Sequence, residues 1–214
     1  MSKNRRIMRI IWWVSCLRNN EGWALSLTET DFAVNCIYPC MFIRENGMLI
    51  IAEKLNMLSF SSLMAVYEEG NRENGAELYA KCSEGEQLLR AEQDFHQYLS
   101  EIFFRTHRAV YLIWQERGRY VSALRLEPWN DGFLLEALET APQDRRKGYA
   151  AALLKAMQQY AAAQGIRKIY SHVGKKNQAS LRAHYGAGFD IIMDHAVCAD
   201  GSVLHQLYTL RLSL

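Results

Sequence analysis

The sequence has little of what marks a disordered, membrane-spanning or nucleic-acid-coating chain. Only 3 of its 214 residues are proline, and no apolar run approaches the roughly 20 residues that a membrane-spanning helix needs. Hydrophobic residues make up 50% and charged residues 22%, which excludes the low-hydrophobicity, high-charge composition of disorder. The net charge of +2 is too small to predict a nucleic-acid-binding surface. We therefore expect a globular protein with neither a membrane nor a nucleic-acid partner.

Cysteine usage and the N-terminal residues predict a metal-free cytoplasmic protein. The five cysteines are scattered along the chain, at Cys16, Cys36, Cys40, Cys82 and Cys198. An odd, scattered set is typical of reduced buried thiols and not of a disulfide framework. Cys36 and Cys40 alone suggest a metal site, but no second Cys or His pair completes four ligands. The apolar stretch after Arg5, Arg6 and Arg9 is too short for a signal peptide and has no small-residue cleavage site.

The chain divides near residue 85 into two parts whose patterns differ in clarity. Residues 1–85 are expected to form an N-terminal elaboration in which no motif indicates chemistry. Their patterns predict a strand at 7–14, a hairpin at Asn46-Gly47 between 40–45 and 48–53, a helix within 55–67, and a surface turn at 70–75. Residues 86–214 are expected to form the core domain.

Within residues 86–214 the hydrophobic periodicity predicts helices and strands in a definite order. An amphipathic helix over 86–104 precedes a three-stranded antiparallel meander at 109–115, 120–126 and 133–140. An alanine- and leucine-rich helix over 150–164 ends at Gly165, a glycine suited to a left-handed stop. The order is completed by a strand at 166–173, a helix that starts near Asn177, and strands at 189–194 and 203–212.

The most informative stretch is the loop of residues 140–150, between a predicted strand and a predicted helix. A helix N-terminus presents unpaired amides and the positive end of the helix dipole, so it favours a bound phosphate. Gly148 and Ala150 leave room for such a ligand beside the backbone, while Arg145, Arg146 and Lys147 add positive charge. Taken alone, an arginine-rich turn of this kind is more often simply solvated.

This loop resembles a known cofactor signature. Arg145-x-x-Gly148-x-Ala150 matches the pattern Q/R-x-x-G-x-G/A with which the GNAT N-acetyltransferase superfamily binds acetyl-coenzyme A, and it differs from the Walker and Rossmann patterns. The strand before the loop resembles the family's fourth strand, with the acidic Glu136 near its middle and Pro142 at the loop entry. The loop and the strand therefore point to the same family.

A second signature of the family is matched downstream, where Asn177 is followed by the small Ser180 and then by Gly188-Phe189. Three matches in one order argue against chance, and the resemblance covers roughly residues 86–214. It implies that Asn177, together with Ser180, contacts the pantetheine arm of the cofactor. An Asn before a helix is also an ordinary N-cap, and the two roles are compatible.

The resemblance implies an α/β fold with a mixed, mostly antiparallel sheet, splayed central strands and flanking helices. Acetyl-coenzyme A would enter the gap between the fourth and fifth strands, and its pantetheine arm would extend the fourth strand through backbone contacts at Leu138 and Thr140. The backbone amides of residues 145–150, that of Tyr149 included, would hold the pyrophosphate. No metal is implied.

The general acid of the family is usually a Tyr seven residues after the signature Asn, and this sequence departs from that pattern. His184 occupies the position, with Tyr185 beside it. A His can protonate a departing thiolate near neutral pH. Successive helical residues point about 100° apart, so the two side chains cannot face the sulfur equally, and His184 ranks first. The alternative is a solvated His184 beside a core Tyr185.

For the base that deprotonates the acceptor, the resemblance implies Glu136. Glu139 lies three residues on and, in a regular strand, faces the other side, so only one of the two is expected to line the cleft. The alternative for Glu136 is an ordinary salt-bridged strand carboxylate. Glu127, Trp129 and Tyr120 could form an acidic, aromatic wall for a cationic amine, or could be turn residues.

The predicted function is transfer of acetyl from acetyl-coenzyme A to a primary amine of a small molecule or a peptide, by direct attack without a covalent enzyme intermediate. Two alternatives stay open. One is transfer of a longer acyl group. The other is a non-catalytic acyl-coenzyme A sensor, which would keep Arg145, Gly148 and Ala150 but would not need Glu136 or His184.

Overall fold

A computed structural model of the protein describes residues 47–198 and 201–214. The predicted strand at 7–14, the first hairpin arm at 40–45, and Cys36 and Cys40 lie outside the described residues. The strands are β1 (Gly47–Ala52), β2 (Val110–Glu116), β3 (Arg119–Trp129), β4 (Gly132–Thr140), β5 (Lys168–Gly174), β6 (Asp190–Met193), β7 (Ala196–Val197), β8 (Val203–Leu204) and β9 (Leu207–Ser213).

Most strands form one seven-stranded sheet of order β1-β2-β3-β4-β5-β9-β6, and β7 and β8 form a small separate hairpin. In the large sheet only β4 and β5 pair in parallel, while the other neighbours are antiparallel. Strands β2 to β4 are the predicted meander. The expected α/β fold with a mostly antiparallel sheet is therefore confirmed.

Helices cover both faces of the sheet: α1 (Phe60–Val66), α2 (Glu68–Leu78), α3 (Glu84–Glu101), α4 (Tyr149–Ala163) and α5 (Gln178–Gly186), with single 3-10 turns at Leu55–Met57, Phe103–Arg105 and Pro142–Asp144. Helices α1 and α3 pack into the core on one face, where Leu63, Phe95 and Leu99 are buried. Helices α4 and α5 close the other face, where Leu153 and Leu181 are buried.

Local sequence explains where three of these helices begin or end. Helix α3 starts with a capping box, in which Glu86 accepts hydrogen bonds from the backbone N–H and the hydroxyl of Ser83. The stop predicted at Gly165 is confirmed, since this glycine has a φ of +68° directly after α4. Helix α5 starts after the predicted cap, Asn177.

The surface turn predicted at residues 70–75 is wrong, because these residues lie inside α2. Two glycines and two asparagines lower the local helix propensity. Gly75 is buried and packs so closely against α3 that an added Cβ would lie 2.5 Å from the carbonyl oxygen of Gln87. The contact between α2 and α3 therefore outweighs a local preference that the sequence alone shows.

Residues 47–85 join the same sheet as the rest of the described chain. They contribute β1, which pairs with β2 along its whole length, and helices α1 and α2. The predicted hairpin arm at 48–53 is observed as β1. The division of the chain at residue 85 stays a prediction.

Three further findings concern cysteines, metals and membranes. Cys82 is a free thiol, but Cys198 is disulfide-bonded, which corrects the expectation of reduced thiols at that position. Within residues 47–198 and 201–214, no group of three His, Cys, Asp or Glu side chains is placed to hold a metal ion. In the same part of the chain, no helix has the length and apolarity needed to cross a membrane.

The packing of α2 on α3 gives a prediction about stability. Gly75→Ala should lower the free energy of unfolding by about 1–3 kcal/mol, because the new Cβ collides with the Gln87 backbone. Gly85→Ala, in α3, is the matched control, since its Cβ would meet nothing within 4 Å. That variant should be neutral or more stable by up to about 1 kcal/mol. Urea denaturation measures both, and equal stability of the two variants would contradict the packing argument.

Candidate active site

The central feature of the sheet is the parting of β4 from β5. The two strands pair over only three positions, Phe133 with Ile169, Leu134 with Tyr170, and Leu135 with Ser171. Beyond these positions β4 remains paired with β3 as far as Thr140, while β5 remains paired with β9 as far as Gly174. The predicted splay of the central strands is thus present.

A cavity of about 810 Å³ lies in this gap. Its walls come from β4, from β5 and the loop that follows it, from α5, and from α2 and α3 on the opposite face of the sheet. Among the lining residues are Gly70, Asn71, Asn74, Glu136, Leu138, Glu139, His172, Asn177, Ser180 and His184. Five residues that the sequence predicted for the site, Glu136, Leu138, Asn177, Ser180 and His184, therefore meet at one cavity, whereas Thr140, Tyr185 and residues 145–150 do not line it.

A β-bulge in β4 brings both candidate bases to the same face. Glu136 pairs with Arg125 and Glu139 with Ala123, so β4 advances three residues where β3 advances two. The extra residue lies near Ala137, whose φ is +49° and whose carbonyl accepts a 2.7 Å hydrogen bond from the Tyr67 hydroxyl. The expectation that only one of the two glutamates lines the cleft is therefore wrong, because it assumed a regular strand.

Glu136 is a desolvated carboxylate held above a buried positive charge. Its side chain is 11% exposed, and its Oε2 lies 3.5 Å from Nη2 of Arg125, whose side chain is fully buried. Aromatic rings of Tyr98 and Phe103 flank that guanidinium at 5.1 and 5.5 Å. Burial raises the pKa of Glu136 well above its usual range, Arg125 opposes this rise, and the negative charge of Glu127 adds to it.

Glu139, in contrast, forms an ion pair with Arg145 of the loop before α4. Its Oε1 lies 3.1 Å from Nη2 of Arg145, and the same guanidinium also contacts Glu69 of α2. Burial raises the pKa of Glu139, and the charge of Arg145 opposes that rise. Of the two carboxylates, only Glu136 has a buried oxygen without a hydrogen bond among the described residues.

The loop before α4 presents backbone amides at the helix start. Gly148 has a φ of +83°, which favours glycine, and Arg146 also has a left-handed φ of +62°. The first hydrogen bond of the helix runs from Ala152 N to Gly148 O at 3.0 Å. The amides of Tyr149 and Ala150 precede that bond, so they are donors that the helix itself does not use.

The basic side chains of this loop are mostly committed to protein carboxylates. Arg145 bridges Glu69 and Glu139, and Lys147 lies 2.8 Å from the buried Asp144. Among the described residues only Arg146, of the three predicted to offset a pyrophosphate charge, forms no ion pair. The positive character that remains at this loop therefore comes mainly from backbone amides and the helix dipole.

Of the residues predicted to contact the pantetheine arm, some line the cavity and one does not. Leu138, Asn177 and Ser180 line the cavity, whereas the Thr140 side chain does not and lies 3.0 Å from the Ser122 hydroxyl. Asn177 Oδ1 accepts from Ser180 N at 3.0 Å, as an N-cap. The cap leaves the side-chain amide nitrogen of Asn177 as its remaining donor group.

His184 and Tyr185 have different environments. His184 is 1% exposed and lines the cavity, while Tyr185 is 46% exposed and does not. His184 Nδ1 lies 2.8 Å from the Ser180 carbonyl oxygen, and because a carbonyl only accepts, Nδ1 carries the proton. Burial lowers the pKa of His184. The imidazole is therefore neutral near pH 7, with a bare Nε2 that no described residue bonds.

His172 of β5 is a cavity residue that the sequence analysis missed. Burial lowers its pKa to about 4, and its Nε2 is buried without a hydrogen bond to any described residue. Trp129 contacts it edge-on, with ring centroids 5.4 Å apart. A His between the buried Ser171 and Val173 of a strand was the available signal. Asn71 and Asn74 were missed because residues 70–75 were assigned to a turn.

The acidic and aromatic wall suggested for Glu127, Trp129 and Tyr120 is present only in part. Tyr120 is buried with α1, where its hydroxyl accepts from Ser59 N at 3.2 Å, and it does not line the cavity. Trp129 lies beside Tyr170 and His172. Glu127 acts on the site through its charge, which raises the pKa of Glu136.

Several solved structures that share this fold at low sequence identity are N-acetyltransferases. The PaiA N-acetyltransferase of Thermoplasma acidophilum in complex with coenzyme A is 15% identical, with a TM-score of 0.51, and the match covers 78% of this chain and 99% of that one. The ribosomal-protein-S18-alanine N-acetyltransferase of Escherichia coli is 15% identical, with a TM-score of 0.51 and coverage of 78% and 94%. An N-acetyltransferase of Staphylococcus aureus Mu50 is 17% identical, with a TM-score of 0.51 and coverage of 78% and 98%.

No curated protein sequence matches the chain. The solved structures, at these identities, establish a shared fold. The Acetyltransferase (GNAT) family, in turn, matches residues 72–189, a segment that contains the parting strands, the loop before α4 and the cap of α5. Because that match spans more than half of the chain, the protein belongs to the GNAT acetyltransferase family.

Proposed function

We propose that the protein transfers an acetyl group from acetyl-coenzyme A to a primary amine of a small molecule or a peptide. The observation that carries the proposal is the gap between β4 and β5: the loop that leaves β4 leads to the donor amides at the start of α4, and the cavity in the gap has the desolvated Glu136 on its wall. The first feature suits an anionic cofactor. The second suits removal of a proton from an ammonium group.

The cofactor would be held mainly by backbone. Its pyrophosphate would accept hydrogen bonds from amides of residues 145–150, and Arg146 is the basic side chain available to it. Its pantetheine arm would pair with β4 near Leu138 and Thr140, where β4 has no strand neighbour on the side of the gap. The coenzyme A bound to the Thermoplasma acidophilum relative supports this kind of ligand.

Two protons must leave the amine during the reaction. Glu136 takes the first from the ammonium, and the free amine then attacks the thioester carbonyl carbon. The new C–N bond forms, the C–S bond breaks, and coenzyme A departs as a thiolate. The second proton leaves the nitrogen after attack and ends on the sulfur, so that the products are an amide and the coenzyme A thiol.

His184 is placed to carry that second proton. Its Nδ1 proton is committed to the Ser180 carbonyl, so Nε2 must first accept a proton before it can donate one. A neutral imidazole with a lowered pKa can accept the proton from the nitrogen of the adduct and pass it to the thiolate. His184 would thus act as a shuttle between nitrogen and sulfur instead of a standing acid.

Gly148→Glu should abolish coenzyme A binding, because it places a carboxylate beside the amides expected to hold the pyrophosphate. Calorimetry should show affinity weaker by about 100-fold or more. Gly148→Asn tests strain separately, since Asn tolerates a positive φ and adds no charge. Gln159→Glu adds the same charge farther along α4 and should change nothing. Unchanged affinity in folded Gly148→Glu protein would rule out this cofactor site.

Glu136→Gln should remove the acidic limb of the pH profile of kcat/KM. The raised pKa of Glu136 puts that limb above the usual carboxylate range, and activity falls as pH drops through it because the protonated carboxyl cannot accept a proton. In the variant, kcat/KM should rise about tenfold per pH unit with the free-amine fraction. Glu139→Gln is the control and should keep the limb. If Glu139→Gln loses the limb instead, Glu139 is the base.

His184→Asn should lower kcat by about 100-fold and leave coenzyme A affinity nearly unchanged, since it keeps a donor for the Ser180 carbonyl but lacks Nε2. Steady-state kinetics and calorimetry separate the two effects. Tyr185→Phe should have wild-type kcat because Tyr185 is exposed outside the cavity. The opposite pattern, with kcat lost only in Tyr185→Phe, would transfer the role to Tyr185.

A further inference from the structure

The point where β4 and β5 separate carries two buried polar side chains, one from each strand. Leu135 and Ser171 are the last paired residues, so Glu136 and His172 are the next residue on each strand. We call these two residues the fork pair. Neighbouring parallel strands lie about 4.8 Å apart at their last pair, so the fork pair sits where the gap is narrowest.

Both members of the fork pair face the side of the sheet that α1 and α3 cover. Glu136 contacts Arg125, whose guanidinium lies over the Tyr98 ring of α3. His172 alternates with Val173, which belongs to the core on the α4 side, and it contacts Trp129, which shares a face of β3 with Arg125. The two side chains therefore flank one narrow part of the cavity, and both line it.

Each member of the fork pair has one buried polar atom without a hydrogen bond among the described residues: Nε2 in His172, and Oε2 in Glu136, which has the ion-pair contact with Nη2 of Arg125 at 3.5 Å. A buried polar atom without a hydrogen bond is costly. Burial keeps His172 uncharged through the neutral pH range, so it brings no positive charge that would repel a cation. With the ring proton of His172 on Nδ1, Nε2 is an acceptor, and a ligand with two or more N–H donors on one nitrogen would then satisfy both atoms.

We infer that His172 binds the acceptor amine, with its Nε2 accepting one N–H of the nitrogen while Glu136 takes another proton from it. This inference rests on the proposed amine acetylation and deepens it, because it adds a residue that selects the acceptor and orients its lone pair. His172 takes no proton at any stage. The proton balance of the reaction is therefore unchanged, with the first proton on Glu136 and the second on the departing sulfur.

The residues around the fork pair limit which kind of molecule can be attached to the acceptor nitrogen. Across the cavity, α2 and α3 present uncharged lining residues, namely Gly70, Asn71, Asn74, Leu78, Ala91 and Phe95. Gly70 has no Cβ, and one built there would meet nothing within 4 Å. On this side the body of the acceptor would meet a neutral wall of amides and apolar groups, while Glu139, Lys175 and Lys176 line other parts of the cavity. The α2 and α3 side therefore fits a primary amine on an uncharged body.

The test compares variants at His172 in thiol-release assays at saturating acetyl-coenzyme A, with a panel of primary amines on neutral bodies, among them peptide N-termini and phenethylamine. His172→Phe keeps an aromatic edge for Trp129 and removes the acceptor nitrogen. It should lower kcat/KM for the amine by about tenfold or more, with coenzyme A affinity unchanged by calorimetry. His172→Gln places an amide oxygen near the position of Nε2 and should recover part of the loss.

Tyr170→Phe is the matched control. Tyr170 lies two residues earlier on β5 and on the same face, it also contacts Trp129, and its hydroxyl bonds Asp131 at 2.6 Å outside the cavity. It should keep wild-type kcat/KM. Equal kcat/KM in wild type and His172→Phe would overturn the inference alone. A wild-type protein that binds coenzyme A yet acetylates no amine of the panel would overturn the proposed function, and the inference with it.

Discussion

Strands β4 and β5 pair over three positions and then part, and the cavity exists because each strand keeps its other neighbour. The backbone groups that face the gap have no strand partner there, and buried backbone groups without partners are costly. An extended, amide-bearing ligand would satisfy them as an added strand does. The short pairing at the centre of the sheet thus leaves backbone groups with which an extended cofactor arm would pair.

A buried guanidinium makes the acidic side of that gap possible. Burying a carboxylate alone is expensive, so Glu136 tolerates its position because Arg125 lies beneath it, itself flanked by aromatic rings. Burial and Arg125 act in opposite directions on the pKa of Glu136, and burial prevails. A carboxylate whose pKa is raised is a better match for proton transfer from an amine than an exposed one.

In the loop before α4, ion pairs within the protein occupy basic side chains that the sequence motif offers for phosphate binding. Its sequence offers three adjacent basic residues, yet Arg145 joins the loop to β4 and α2 through Glu139 and Glu69. Lys147 is held by Asp144. The contacts of Arg145 tie the loop to β4 and to α2. Phosphate binding would therefore depend more on the orientation of the backbone amides than on side-chain charge.

Sequence alone determined the features that depend on neighbouring residues: the meander, the stop at Gly165, the Asn177 cap and the small residues of the loop, because hydrophobic period, capping and steric freedom are local. Tertiary structure decided the rest. The bulge at Ala137 depends on pairing with β3 and turns Glu139 to the face of Glu136. The helix at 70–75 depends on Gly75 packing against α3, and the position of His172 at the cavity depends on which strand parts from β5. Each is a contact between distant segments, which no local pattern encodes.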